Sequence, residues 1–419
     1  MKKMLLCAAG MALAMPAMAI FITPPEIPIE RLITNTSAYM GEHPDDAMGP
    51  YTVARIHYLA LAKRSSRFST YEEKGRPPFI EETFGRIARQ DNPAPVPVPA
   101  PAWTDDQLRE HLVAAVENYQ KAIRMDPKSG LFHLGLASVA ESAATSGIKL
   151  IPIPGQPVSP SVSNDVLAGQ WRELAIAEYF SAYELSGRED TRIRSRPVSG
   201  LGSLVSYEAG ERFVAMVGAR GAREGDAQKL ASVRATLRTL SNKPRGPITP
   251  IVFRLGDPAP LADLLDSRRT VVFDLDGTGR PQQYSWVRPD TAFLVLDMGK
   301  TGRITSGHQL FGSVSFNMFW SDGYRALDAL DDNRDGVLRE NELAGLAVWF
   351  DRNQDGVSEP GEVVPIAKAG IAAISARSTG SDGDSPMNST GLTMSDGRLL
   401  PTYDWTTEPL DCDSKTPTS

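Results

Sequence analysis

The sequence predicts an α+β chain of several domains, with an all-α region first and a small α+β module near the C-terminal end. Its 419 residues are enough for about two or three domains, each with its own core. Helical periodicity dominates up to about residue 247, and short apolar runs between Asp and Gly turns dominate after Arg269. Residues 251–419 hold 25 acidic and 15 basic side chains, against 26 and 29 in residues 1–250. An acidic C-terminal part suits a cation ligand and argues against nucleic acid.

Residues 1–19 have the three parts of a secretory signal peptide. Two lysines supply the positive charge, Met4–Leu13 the apolar stretch, and Ala17-Met18-Ala19 the cleavage pattern. A lipoprotein anchor at Cys7 is the alternative, although little apolar sequence precedes it. We therefore expect an exported protein, periplasmic or extracellular. No later stretch is apolar for long enough to form a transmembrane segment.

Residues 20–247 are predicted to form a helical region that two Pro-rich stretches interrupt, 92–101 and 151–160. Alternating prolines cannot continue a helix, so both stretches are expected to be surface connections. A small–aromatic–small spacing with steps of four and three residues occurs twice, which places each set on one helix face. The two sets are Ala115, Tyr119 and Ala122, and Ala175, Tyr179 and Ala182.

The segment around the first set resembles a junction between tetratricopeptide (TPR) repeats. Its second helix would hold that set and end near Pro127, and the next helix would hold Leu134 and Gly135. The regular period of about 34 residues is absent, so a plain helical bundle stays open as the alternative. The resemblance implies a TPR-like domain with a concave surface for a protein or peptide partner.

Closely spaced prolines mark a joint after the helical region, and residues 248–266 are predicted to form a linker. Within it we expect a helix from Pro258 to Leu265, capped by Asp257. The module itself is predicted to span 267–405. Its predicted elements are strands at 271–275, 284–287 and 293–297, a mobile stretch at 375–388, a β-hairpin at 391–405 and a disordered tail at 406–419.

Two stretches of the module fit the pattern D-x-[DN]-x-[DN]-G-x5-E, in which each position has a role in calcium coordination. They are loop 1, Asp331–Glu342, and loop 2, Asp351–Glu362. Both are predicted to be EF-hand-type calcium loops, since hard oxygen donors at these spacings favour calcium over zinc or copper. The predicted ligands are Asp331, Asn333, Asp335, Val337 (through its carbonyl) and Glu342 in loop 1, and Asp351, Asn353, Asp355, Val357 (through its carbonyl) and Glu362 in loop 2.

Only residues 343–350 separate the two loops. At about 1.5 Å per residue they would form roughly 12 Å of helix, too little for the two helices and linker of a sensor pair. We therefore expect one short helix shared by both loops, in a rigid unit that calcium stabilises without affecting the helical region. Loop 1 has Arg339 at position 9 where loop 2 has Glu359, so loop 2 is expected to bind calcium more tightly.

Two earlier segments keep part of the calcium pattern. Residues 274–279 are open to a metal or a structural interpretation, and residues 297–302 are predicted to form a structural turn. Together with HQLFG, the two loops and GIAAIS, these segments resemble the calcium-binding module of secreted RTX-type bacterial proteins, including self-processing ones. The resemblance covers roughly residues 257–405 and implies calcium as the ligand. Thr278 and Thr301 depart from it, since the family tends to carry Asp, Asn or Glu there.

No catalytic constellation stands out in the sequence. The 5 histidines show no metal spacing, and no nucleophile elbow, phosphate loop or dinucleotide fingerprint occurs. We therefore expect no enzyme activity and predict no catalytic residue. One alternative comes from the resemblance, because self-processing relatives cleave an Asp-Pro bond upstream of the module and Asp257-Pro258 has a corresponding place. A structural component of the cell envelope is the third hypothesis.

Overall fold

The structure, a computed structural model, describes residues 27–68, 103–155, 162–190, 205–240 and 247–410. Helices fill the described residues up to 240, and a β-rich region follows from 247, so the predicted α+β class is confirmed at this level. The predicted signal peptide, the Pro-rich stretch 92–101 and residues 156–160 of the second Pro-rich stretch lie outside the described residues. In the described part of the chain, no helix combines the length and the apolar character needed to cross a membrane.

The helices of the N-terminal region contact one another in chain order. They are α1 (Ile29–Glu42), α2 (Met48–Lys63), α3 (Asp105–Met125), α4 (Gly130–Thr145), α5 (Asn164–Asp190), α6 (Val205–Arg220) and α7 (Asp226–Leu240). A capping box starts α3, because Thr104 and Gln107 each accept a hydrogen bond from the other's backbone N–H. Tyr119 and Tyr179 are buried with their flanking alanines, and a Cβ at Gly135 would lie 2.3 Å from the Tyr119 ring. The choice between a TPR-like array and a plain bundle stays a prediction.

The β-rich region is built on antiparallel strands. The strands of the described residues are β1 (Ile27–Pro28) and β2 (Arg67–Phe68), which pair beside the helices, then β3 (Ile251–Arg254), β4 (Leu265–Phe273), β5 (Gln282–Val287), β6 (Thr291–Leu296), β7 (Val337–Arg339), β8 (Leu346–Trp349), β9 (Val363–Pro365), β10 (Ile371–Ser375), β11 (Gly380–Asp382), β12 (Ser385–Met394) and β13 (Leu399–Asp404). The main sheet has nine strands in the described residues, in the order β7-β10-β12-β13-β3-β6-β8-β9, with β11 paired to β12. Strands β4 and β5 form a separate two-stranded ribbon. The three predicted strands match β4, β5 and β6, and the predicted hairpin is β12–β13.

Two predictions for the joint between the regions are wrong. Residues 248–266 do not form a linker, because β3 lies inside the sheet between β13 and β6, with Ile251, Val252 and Phe253 at 0% exposure. The predicted helix at 258–265 is also absent, since one 3-10 turn at Leu261–Asp263 leads directly into β4. A short apolar run between prolines has no measurable period, so the sequence pattern does not distinguish such a strand from a linker.

The predictions of mobility near the C-terminal end are wrong as far as the structure describes them. Residues 375–388 contain β11 and the first residues of β12. Thr407 exchanges two backbone hydrogen bonds with Ile248, at 2.8 and 2.9 Å, and the Leu410 N–H donates to the Gln283 carbonyl at 2.7 Å. The predicted disordered tail is therefore ordered at 406–410, and residues 411–419 lie outside the described residues.

An aromatic cluster joins the ribbon to the main sheet. Trp286 of β5 has its ring centroid 5.1 Å from that of Phe293 in β6 and 6.2 Å from that of Trp349 in β8. Phe273 of β4 lies 5.5 Å from Trp349 by the same measure. Trp286 and Trp349 are fully buried, so this cluster fixes the ribbon against the strand between the two predicted calcium loops.

The helical region contacts the β-rich region through α1 and α2. Arg55 of α2 is 1% exposed, and its Nε donates to the Asn317 carbonyl at 3.1 Å. Its guanidinium also lies 4.3 Å from the centroid of the Phe319 ring. On α1, the Tyr39 ring is covered by the guanidinium of Arg325. These contacts join the two regions beside loop 1.

Candidate metal centre

Loop 1 and loop 2 share one backbone conformation. Position 4 is left-handed in both, with a φ of 61° at Arg334 and 58° at Gln354. Position 6 is a glycine with positive φ in both, 84° at Gly336 and 75° at Gly356. A side chain at position 6 would be strained, which explains why the pattern requires glycine there. Two segments of different sequence therefore fold into the same turn.

The first carboxylate of each loop is buried and held by the glycine of that loop. The Gly336 N–H donates to Asp331 Oδ2 at 2.7 Å, and the Gly356 N–H donates to Asp351 Oδ2 at 2.8 Å. The other oxygen of loop 1, Asp331 Oδ1, is buried and accepts no hydrogen bond from the described residues. Burial raises the pKa of both carboxyls. A cation in the loop would offset the free-energy cost of these buried charges.

The position-12 glutamates close the two loops through two shared hydrogen bonds, and Glu342 also accepts from the Asn333 N–H at 3.2 Å. Glu342 accepts hydrogen bonds from the N–H groups of positions 2 and 9, at 2.8 and 3.0 Å. Glu362 accepts from the same two positions at the same two distances. Both glutamates are buried, so the two ends of each loop are tied together inside the protein.

The predicted ligands at positions 3 and 5 lie at the exposed side of each loop. In both loops the position-5 aspartate accepts from the N–H of position 7 at 2.8 Å. Within the described residues, no group of three carboxylate, imidazole or thiolate side chains converges to hold a metal ion. The three predicted carboxylates of each loop are therefore not brought together as a metal cluster, and each predicted set also requires an asparagine side chain and a valine carbonyl. The fit to calcium thus rests on the shared loop geometry and on the buried Asp331 oxygen.

The loops differ at position 9. Arg339 Nη1 lies 2.6 Å from Asp335 Oδ2, so a guanidinium occupies one oxygen of a predicted ligand in loop 1. The equivalent oxygen in loop 2, Asp355 Oδ2, accepts from Asn353 Nδ2 at 2.9 Å. The Arg339–Asp335 contact supports the expectation that loop 2 binds calcium more tightly than loop 1, which stays a prediction.

The predicted shared helix between the loops is wrong. Residues 343–350 contain β8, whose four residues are all buried and which pairs with β6 and β9. Gly345, just before β8, has a φ of 83°, and a Cβ there would lie 2.0 Å from Met298 Sδ. The loops are therefore joined by a strand inside the main sheet. A rigid connection is present, but the sheet supplies it.

Each loop rests on a different element outside the calcium pattern. Trp286 Nε1 of the ribbon donates to Asp351 Oδ2 at 2.7 Å, and Gln354 Nε2 donates to the Val287 carbonyl at 2.8 Å. In loop 1, the side chain of Asp332 accepts hydrogen bonds from α1. The sequence does not predict these supports, because no local pattern marks contacts between residues so far apart in the chain.

The two partial patterns fold as closed turns. Asp274 Oδ1 and Oδ2 accept from the N–H groups of Thr278 and Gly279, both at 2.9 Å. Asp297 Oδ1 and Oδ2 accept from the N–H groups of Thr301 and Gly302, at 2.9 and 2.8 Å. The Thr301 hydroxyl donates to Asp297 as well. The Thr301 hydroxyl thus donates a hydrogen bond to the first aspartate, whereas a calcium ligand at that position would direct an oxygen lone pair at the metal. This contact favours a structural role for residues 297–302.

Two of the histidines lie in contact with each other. His57 Nδ1 lies 2.8 Å from His111 Nδ1, between α2 and α3, and burial lowers the pKa of His57 to about 4. This pair is a contact that the spacing of the histidines does not predict.

Asp257 is exposed, and none of the described residues donates a hydrogen bond to its carboxylate. The predicted capping role of Asp257 is therefore wrong.

Comparisons with known proteins give a partial relative and a family match. One curated relative is the iron-regulated protein FrpA of Neisseria meningitidis serogroup C, 34% identical over 108 residues. The aligned part is 25% of this chain and 10% of FrpA, so the match spans only a small share of that relative's length. Residues 262–406, which include both loops, match the family described as the SPM domain.

Proposed function

We propose that the chain is an exported calcium-binding protein in which calcium at loop 1 and loop 2 stabilises the β-rich region. The observation that carries this proposal is the repeated loop geometry, in which a buried oxygen of Asp331 in loop 1 accepts no hydrogen bond from the part of the chain that the structure describes. The resemblance of residues 257–405 to the calcium-binding module of RTX-type proteins supports the same ligand. Export is supported by the signal-peptide pattern at residues 1–19.

Calcium would supply positive charge beside the buried carboxylates at positions 1 and 12 of each loop. In each loop the aspartate at position 1 and the glutamate at position 12 would approach it from the buried side. The asparagine, the second aspartate and the valine carbonyl would approach from the exposed side. Since a ligand that binds only the folded state raises stability, a hundredfold excess over the dissociation constant adds about 2.7 kcal/mol per site.

Titration of the full chain with calcium tests the proposal. We expect about two sites, with dissociation constants on the order of 10⁻⁴ to 10⁻³ M as in extracellular modules. Glu342→Gln and Glu362→Gln each remove one charged bidentate ligand, so each should abolish one site and most of its calcium-dependent gain in the free energy of unfolding.

The matched control is Glu340→Gln, which neutralises an exposed carboxylate of loop 1 that is outside the predicted ligand set. It should leave two sites. Wild-type protein that shows neither heat of binding nor a shift in melting temperature at millimolar calcium would contradict calcium binding altogether.

We also propose that the helical region binds a protein or peptide partner. Its helices contact one another in chain order, as in arrays that present an extended surface. The small–aromatic–small sets are buried by packing inside this region, so they do not form the surface that would contact a partner. A structural role in the cell envelope would use the same two regions without a specific partner.

Self-cleavage at Asp257-Pro258 is the second candidate function. It is favoured by the exposed Asp257 carboxylate, which no described residue engages. In the reaction, a carboxylate oxygen attacks the carbonyl carbon of the same residue, and the prolyl nitrogen leaves with a proton. Water then opens the resulting cyclic anhydride, which restores Asp257 as a new C-terminus.

The main proposal expects the purified full chain to stay intact for hours in millimolar calcium at neutral pH. Mass spectrometry of the products distinguishes the two functions. Fragments that end at Asp257 and begin at Pro258, absent in an Asp257→Ala variant and in the presence of chelator, would establish the self-cleaving alternative instead.

A further inference from the structure

One face of α1 binds the chain on both sides of Asp331. Arg31 Nε donates to Asp332 Oδ1 and Arg31 Nη2 donates to the Leu330 carbonyl, both at 2.7 Å. Asn35, one helical turn later, donates from Nδ2 to the Ala329 carbonyl at 3.0 Å and to Asp332 Oδ1 at 2.9 Å. Residues four apart lie on the same helix face, so the two side chains act on one segment.

A third contact extends this interface along α1. Arg334, at position 4 of loop 1, donates from Nη2 to Glu42 Oε2 at the end of α1, at 2.9 Å. The same guanidinium pairs through Nη1 with Asp328 Oδ1 at 2.8 Å. Loop 1 is therefore held by α1 at positions 2 and 4, neither of which is a predicted calcium ligand.

The interface leads directly to two predicted ligands. The backbone N–H of Asp332, whose side chain α1 holds, donates to Glu342 Oε1 at 2.8 Å. Asp331, whose buried Oδ1 accepts no hydrogen bond from the described residues, lies between two residues that Arg31 contacts. Arg31 and Asp332 are 21% and 49% exposed at their side chains, whereas Asn35 is 4% exposed as a residue, so the Asn35 contacts are the ones shielded from water. Shielding makes such hydrogen bonds stronger than exposed ones.

We propose that Arg31 and Asn35 are positioning residues of calcium site 1, so that this site belongs jointly to the helical region and the β-rich region. The inference rests on the proposed binding of calcium at loop 1. Calcium at loop 1 then holds α1 in place, and α1 in turn raises the calcium affinity of loop 1, because coupling between two binding equilibria is reciprocal. Loop 2, which rests on the ribbon, is independent of α1. The expectation that calcium leaves the helical region unaffected is thereby replaced.

The test uses the full chain with the two sites separated. In a Glu362→Gln background only loop 1 can titrate, and there Arg31→Ala/Asn35→Ala should weaken calcium binding about tenfold or more, the usual effect of losing outer-shell partners. In a Glu342→Gln background, where only loop 2 titrates, the same pair of substitutions should leave the affinity unchanged. Calcium should slow amide hydrogen exchange in α1 of the Glu362→Gln protein, and this protection should be lost with the two substitutions.

The matched control is Arg109→Ala/Asn118→Ala on α3, the same two residue types with partners inside the helical region. It should leave both affinities unchanged. Asp332→Ala removes the side chain in the β-rich region that Arg31 and Asn35 both contact. When it is added to Arg31→Ala/Asn35→Ala, we expect no further loss of calcium affinity. If α1 variants with wild-type circular dichroism keep the loop 1 affinity, the inference is wrong while calcium binding stands. If the Glu362→Gln protein binds no calcium at all, the proposed function of loop 1 is itself wrong.

Discussion

The side chain of Arg339 pairs with Asp335, a predicted calcium ligand of loop 1. Arg339 and Asp335 are 50% and 43% exposed at their side chains, so their ion pair contributes only about 0–1 kcal/mol to folding. It has a larger consequence for metal binding, because the guanidinium neutralises a charge that calcium would use. The equivalent residue of loop 2, Glu359, adds a negative charge instead.

We therefore expect Arg339→Ser to raise the calcium affinity of loop 1. Removal of one positive charge near an exposed site should change the dissociation constant roughly threefold to tenfold, equivalent to about 1 kcal/mol. The Glu362→Gln background isolates loop 1 for a calorimetric titration. Arg398→Ser is the control, since it breaks a similarly exposed pair with Asp396 outside both loops. An affinity that falls, or stays the same, would show that Arg339 does not compete with calcium.

At the scale of single residues, the loop pattern was informative because each position has one stereochemical role. The glycines at position 6 have the positive φ that the pattern implies, and the aspartates at position 1 are buried. Arg31 and Trp286, which support the loops, were beyond sequence reasoning. Their partners are Asp332 and Asp351, and neither helical periodicity nor strand alternation specifies a contact across such separations.

At the scale of elements, the most informative error concerns the segment between the loops. Residues 343–350 were predicted to be helical from length alone, yet Leu346–Trp349 is a strand with every residue buried. A short, continuous apolar run fits a buried strand as well as a helix, because periodicity needs one polar face. The α3–α4 pair was predicted well for the opposite reason. Tyr119 and its flanking alanines recur at helical spacing, and Pro127 marks the break between α3 and α4.

At the scale of the whole molecule, the predicted calcium loops lie where separate parts of the chain meet. Loop 1 contacts α1, loop 2 contacts the β4–β5 ribbon, and β8 joins the loops through the main sheet. The acidic character of residues 251–419 predicted a cation site but not this arrangement. The sequence pattern divides the chain into consecutive domains. It does not specify the contacts from residues 31 and 35 to the segment just before residue 331, because those contacts depend on tertiary packing.

The position of β3 in the main sheet leads to a prediction about where the β-rich region begins. A fragment of residues 267–405 lacks β3, which leaves β13 and β6 without their shared neighbour. It also lacks Ile251, Val252 and Phe253, and losing each fully buried side chain costs on the order of 2 kcal/mol or more. That total is comparable to the whole stability of an ordinary domain.

We expect a fragment of residues 247–410 to melt cooperatively in calcium, as followed by circular dichroism, and the 267–405 fragment to show no such transition. Equal melting temperatures for the two fragments would mean that β3 is an accessory strand and that the shorter segment folds independently.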